Sequence, residues 1–313
     1  MLTFTGRFGN LVIQGKDPDS ALTRILQMAI NTPYSDGTFI TAYPFAHVKE
    51  HETRGIGIWA DADIFNTNIL PVDLGCGVML ASFEGEVPSE EVLHDSLVEV
   101  MEETGLQAYL ENSDLFMDID ASKFPALEVH FVEIGIALDG STKIAIHAGS
   151  GALGWAAKLA YSKPQMKPST KETYAAMKDA EEIQRICKYY RAAVLKALSV
   201  KLNAQIKVEV DTVHNSAWIG PEFGMYRGAT HTNKDEEALI LLGAEHGIAR
   251  IQASTPSNWA TTFSPTVPAK LGIKNKEGGE FAAILEAELN DIRVGEKCKV
   301  VDLVKPVVTA KPW

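Results

Sequence analysis

The chain has 313 residues, 46% hydrophobic and 22% charged, a balance that suits a folded protein with a sizeable core and excludes a disordered or fibrous one. Its net charge of −12 argues against nonspecific coating of nucleic acid, which needs a basic surface, but leaves room for a local basic patch or a metal site. Three cysteines without a CxxC pair, an opening MLTFTGRFGNLVIQG without signal-peptide order and no membrane-length apolar run lead us to expect a cytoplasmic protein that does not enter membranes.

Taken along the chain, residues 20–31 have helical apolar spacing, with Ser20 as the expected N-cap and Pro33 beyond the end. Residues 68–83 (NILPVDLGCGVMLASF) read as a buried strand, a tight glycine turn and a second strand. Pro88-Ser-Glu-Glu opens an amphipathic helix over 88–104. Strands are expected over 127–137 and 143–147, joined by the turn Leu138-Asp-Gly-Ser141. Residues 170–203 form the strongest helix, a scaffold in which Met177, Tyr189 and Tyr190 face the core and Lys188 and Arg191 are available to substrate phosphates. Alternation over 204–213 gives a strand that ends at His214. A helix over 278–290 and a strand pair over 299–309, split at Pro306, close the chain. There is no repeat, linker or regular βαβ rhythm, so the expected class is α+β, with one domain over 1–313.

Four residues of metal-ligating type stand in short motifs: Cys76 in Asp73-Leu-Gly-Cys-Gly77, His130 in His-Phe-Val-Glu133, His147 in His-Ala-Gly-Ser150 and His214 in His214-Asn215. With Asp73 beside the thiol, this donor set suits a transition metal, zinc as readily as manganese. The histidines fall on or at the ends of expected strands, which place ligands rigidly.

In their order these motifs resemble the RtcB family of RNA ligases, whose pattern runs Asp-x-Gly-Cys-Gly, His-Phe-x-Glu, His-x-Gly-Ser, His-Asn and Lys-Gly-Ala-Thr. The last is matched by Arg227-Gly-Ala-Thr230, and Pro44-Phe-Ala-His47 stands where the family has Pro-Asp-Val-His. The resemblance spans roughly residues 20–265. It implies a single RtcB-like α+β domain with a metal-lined central cleft. Cys76 would bridge two manganese ions, Asp73 and His130 completing one, His147 and His214 the other. Asn215 would touch nucleotide phosphate, with Arg227, Gly228 and Ala229 beside the guanosine. The implied activity is RNA repair and tRNA splicing: a 2′,3′-cyclic phosphate or 3′-phosphate is joined to a 5′-hydroxyl, through guanylylation of a histidine by GTP.

Two placements of that nucleophile remain open. His246-Gly-Ile-Ala-Arg250 resembles the family's His-Gly-Ala-Gly-Arg, making His246 the nucleophile and Arg250 a phosphate contact. A collinear reading instead puts the position near Phe263–Leu271, which holds no histidine. The chain departs from the family pattern: Val129 replaces an asparagine, Phe45 an aspartate and Arg227 a lysine, Ser150-Gly-Ala lacks a basic residue, and the chain is shorter than the family after His214. Two further readings follow. One is a metal-dependent phosphoesterase, with Glu133 or Asp73 as base. The other is a non-catalytic protein that holds RNA ends.

Overall fold

The structure is a computed structural model that describes residues 1–15, 18–49, 52–61, 66–67, 70–124, 126–162, 170–220, 222–243, 246–264, 267, 276, 278–292 and 298–312. Its class is mixed α+β. In chain order the strands are β1 (Leu2–Thr5), β2 (Asn10–Ile13), β3 (Phe39–Lys49), β4 (Glu52–Ala60), β5 (Gly77–Glu84), β6 (Glu128–Ile136), β7 (Thr142–Gly149), β8 (Gln205–Val213), β9 (Asn215–Ile219), β10 (Phe223–Arg227), β11 (Ala229–Thr232), β12 (Glu237–Gly243), β13 (Gly247–Ala253), β14 (Ser257–Ala260) and β15 (Cys298–Ala310). The helices are α1 (Ser20–Ala29), α2 (Glu90–Thr104), α3 (Gln107–Glu111), α4 (Ala152–Tyr161), α5 (Thr170–Lys201) and α6 (Gly278–Ile292). No helix among the described residues is long and apolar enough to cross a membrane.

Three sheets organise these strands: β1-β2-β3-β4-β10-β9, the pair β11-β14, and β12-β13-β15-β6-β7-β5-β8. The seven-stranded sheet is antiparallel throughout and curls into a half-barrel, so its two edges approach each other. There the backbone N–H of Leu239 on β12 donates to the Thr212 hydroxyl on β8 at 2.9 Å. Inside the curl lie Val78, Leu80, Ala145, Val210, Leu239, Ile248 and Val304. The pair β11-β14 knits the sheets together through Ala229 N–H to the His214 carbonyl and Thr261 N–H to the Gly228 carbonyl.

The outer face of the curl is the larger core. On β7 the alternating Ile144, Ile146 and Ala148 bury against α5, which contributes Met177, Ala180, Ile183, Cys187, Tyr190, Val194 and Leu198 at helical spacing. Lys143, Ala145 and His147 therefore face inward, because strand side chains alternate. Helix α2 starts where Ser89 accepts from the Val92 N–H, carries Glu90 and Glu91 in its first turn and stops at Gly105, φ 42°.

Several expectations need correcting. Asp19, not Ser20, caps α1, its carboxylate accepting from the Leu22 N–H at 2.8 Å. Residues 70–76 form turn and coil, so of the stretch 68–83 only the second strand exists among the described residues. The expected terminal pair is one long strand, β15. Pro306, which has no N–H to donate, sits at an irregularity where β15 changes partner from β13 to β6. Tyr189 is half exposed rather than in the core.

Candidate metal centre

The five expected donors meet at one end of the inward face. Cys76 Sγ stands 3.1 Å from His147 Nε2 and 3.6 Å from His130 Nδ1. His147 Nε2 is 3.2 Å from His214 Nε2, and His130 Nε2 is 3.8 Å from Asp73 Oδ2. Two groups result, Cys76–His147–His214 and Asp73–Cys76–His130, each with its donor atoms within 4.8 Å of one another. Cys76 belongs to both.

Each donor is placed by an identifiable local device. Gly75 has φ 72°, and a Cβ there would come within 2.8 Å of Cys187 Sγ, so only glycine lets the Cys76 turn press against α5. A Cβ on Gly149 would lie 2.0 Å from Asp73 Oδ1, so that glycine makes room for the carboxylate. His130 is the extra residue of a β-bulge, since Val129 pairs with Ala148 and Phe131 with His147. A bulge re-aims one side chain, here toward Cys76. His214 turns the corner between β8 and β9, its N–H donating to the Cys76 carbonyl at 2.9 Å.

Arg191, wholly buried on α5, locks three of these devices together. Its Nε and Nη2 donate to the two oxygens of Asp211 at 2.9 and 3.0 Å. Its Nη1 donates to the carbonyls of Gly75 at 2.8 Å and Ala148 at 3.2 Å. Gly75 and Ala148 adjoin Cys76 and His147, and Asp211 lies three residues before His214. Arg191 therefore grips the frame of the first donor group and is not available to substrate phosphate, contrary to expectation. Lys188 is exposed.

The electrostatics suit metal ligation. Burial, then the charges of His214 and His130, holds His147 well below the usual imidazole range. Burial, then the charge of Arg54, lowers His214 to about 3. Both rings are neutral at physiological pH, the form that binds metal. Burial and then Asp73 push the Cys76 thiol up, and metal binding is what makes such a thiol ionise. Nitrogen ligands on a tetrahedral cation stand roughly 3.4 Å apart. The 3.2 Å between His147 and His214 is close to that, so the donors present fit a transition-metal cation.

The other expected residues are distributed around this cluster. Asn215 borders it, but its Oδ1 accepts from the Gly228 N–H at 2.8 Å, bracing backbone. Arg227 lies across from Asn215 at the end of β10, and Ala229 N–H holds the His214 carbonyl. His246 and Arg250 are not joined to the donors. His246 sits in the β12–β13 hairpin with its ring 5.9 Å from that of Phe281. Arg250 is engaged by Glu237 and Glu209, both at 2.7 Å. The collinear alternative at 263–271 falls mostly outside the described residues. His47 is buried, 3.1 Å from the Phe45 carbonyl through Nδ1, and belongs to neither donor group.

Glu133 is one strand step from the cluster. It pairs with Ala145, two residues from His147, and so shares its inward face. One carboxylate oxygen is buried without a partner, and burial raises the group to about 7. A cleft of about 960 Å³ opens behind the His214 corner, walled by Thr212, Val213, Ser216, Ala217, Trp218 and Tyr226 rather than by the five donors. Three residues are not singled out by sequence in these places: Arg54, whose charge acts on His147 and His214, Lys158, which feels the charge of Arg227, and Arg191 in its actual role. Arg54 and Lys158 lie in no motif, and nothing short of the fold brings them near Arg227. Neither the family models nor the curated proteins contain a match to this chain.

Proposed function

We propose that this protein is a metal-dependent enzyme of phosphoester chemistry acting on RNA ends, a diverged relative of the RtcB ligases. The observation that carries the reading is the shared thiol. Cys76 stands in both donor groups, an arrangement that suits a two-cation centre, and the resemblance assigns these same five residues to it. Two cations held there would neutralise charge on a phosphate during in-line displacement. Manganese follows from the resemblance, and the donor chemistry accepts zinc equally.

Of the forms this chemistry takes, we favour one without guanylylation. In the ligase form GTP modifies His246, and Asn215, Arg227, Gly228, Ala229 and Arg250 surround the nucleotide. The packing of His246 against Phe281 and the two carboxylates on Arg250 speak for the alternative, cyclic-phosphate opening or phosphoester hydrolysis. Glu133 is then the proton acceptor. A carboxyl that titrates near 7 and faces inward without a partner can take a proton from an attacking water at neutral pH.

The test uses the full chain with manganese. Labelled GTP and an RNA bearing a 2′,3′-cyclic phosphate are supplied together, and protein and RNA are analysed separately. Opening of the cyclic phosphate without acid-labile label on protein is the expected result. Label that disappears in His246→Ala restores the ligase form. No change to the RNA with any divalent metal removes the catalytic reading.

A further inference from the structure

We propose that Arg54, Arg227 and Lys158 form an oxyanion site beside the donor cluster, one that takes a phosphate dianion. The proposal rests on the preceding reading only for what that phosphate belongs to.

The fold brings these three cations together from distant segments. Arg227 ends β10, opposite Asn215 on β9 and Ile56 on β4. The chain then turns through Gly228, φ 61°, whose missing Cβ would lie 3.1 Å from that of Arg54. Arg54 and Arg227 thus issue from neighbouring strands at the point where Ala229 N–H ties into the His214 carbonyl. Arg54 is also the strongest charge acting on His214. Lys158 comes from α4, which starts directly after the Gly149-Ser-Gly segment beyond His147, and it feels the charges of Arg227 and Glu52.

The charges here do not balance. Glu52 faces all three cations and pairs with Arg54 at 2.9 Å. Among the described residues, neither Arg227 nor Lys158 has an ion-pair partner. Three cations and one carboxylate leave two positive charges, in a chain whose net charge is −12. Desolvation is the largest influence on both Arg227 and Lys158 and lowers them, and the carboxylate of Glu52 does not offset it, as for cations partly withdrawn from water with too little counter-charge. Arg54 Nε is likewise buried without an acceptor. Forked guanidinium donors match phosphate oxygens in pairs, and two uncompensated charges match a dianion better than a monocarboxylate.

The experiment titrates inorganic phosphate into EDTA-treated full-length protein by calorimetry at low ionic strength, with acetate as comparator and cobalt titrated in parallel. Wild type is expected to bind phosphate in preference to acetate. The double variant Arg54→Gln, Lys158→Gln is expected to bind it at least roughly tenfold more weakly, with an unchanged circular dichroism spectrum and retained cobalt binding. Lys158→Gln alone, at a partly exposed position on a helix, is expected to fold and to show part of the loss. Phosphate binding unaffected by these substitutions, absent from wild type, or no tighter than acetate would overturn the proposal. Phosphate binding by a wild type that takes up no cobalt would remove the metal reading and leave this site standing.

Discussion

Replacing Arg191 with methionine tests how far the donor frame depends on one side chain. The substitution keeps much of the apolar stem but deletes four hydrogen bonds, two to Asp211 and one each to the Gly75 and Ala148 carbonyls. The Asp211 side chain is only 7% exposed, so its charge is left buried without a partner. Breaking a buried pair from one side costs about 3–5 kcal/mol. Urea unfolding of the metal-free protein at pH 7.5 should register that loss. Adding Asp211→Leu should return part of it, because the second change removes the stranded charge. Cobalt titration supplies the second readout. With the Cys76 turn, β7 and β8 no longer tied together, the Cys76–His147–His214 group should bind more weakly and give an altered ligand-field spectrum. As a control, Asp179→Asn disturbs another buried carboxylate on α5, one that accepts from the Phe116 and Met117 N–H groups and the Tyr161 hydroxyl, and should lower stability while leaving the cobalt spectrum alone. An Arg191→Met protein within about 1 kcal/mol of wild type, with an unchanged spectrum, would show that the donor frame does not depend on this side chain.

Three further outcomes are expected. Cys76→Ala should abolish both equivalents of bound cobalt and the thiolate charge-transfer band, whereas His214→Ala should abolish only one; equal losses would contradict the shared thiol. Gly149→Ala places a methyl group 2.0 Å from Asp73 Oδ1, so it should selectively weaken the Asp73–Cys76–His130 group, as read by the stoichiometry of cobalt uptake. Glu133 is raised from 4.5 to about 7, so the folded state holds its proton more tightly than the unfolded state does. Its contribution is complete below pH 4.5 and is lost as pH rises to about 7, an effect of about 3 kcal/mol. His147 and His214 are lowered, so their effect runs oppositely, stability falling as pH drops below the unfolded imidazole value. The difference between wild type and Glu133→Gln cancels the histidines. The variant should gain on wild type between pH 5 and pH 8 in EDTA, and parallel pH profiles would sink the assignment.

Four of the six helices and the strands β5 to β8 are legible from spacing, because each is long enough to show one regular buried face, whereas α3 and α4 are not anticipated. The first sheet is not. β3 carries Pro44 and a left-handed Phe45, φ 68°, and β4 carries Gly55 and Gly57, so neither alternates cleanly. The five donors are legible as chemical types within motifs, and the fold brings all of them together. Arg54 and Lys158 are not, since their significance lies in the surplus of positive charge that the fold gathers with Arg227 around the single carboxylate of Glu52, which a sequence does not display. His246 shows the converse: a histidine followed by glycine looks like a nucleophile, while its surroundings are those of a hairpin packed on an aromatic ring.

The position of β15 bears on how the molecule is made. It fills the gap between β13 and β6, so the bulged strand that carries His130 has an open edge until residue 310 has left the ribosome. Open strand edges are templates for pairing with other chains. The edge of the strand that carries His130 is therefore covered by a segment made after all five donors.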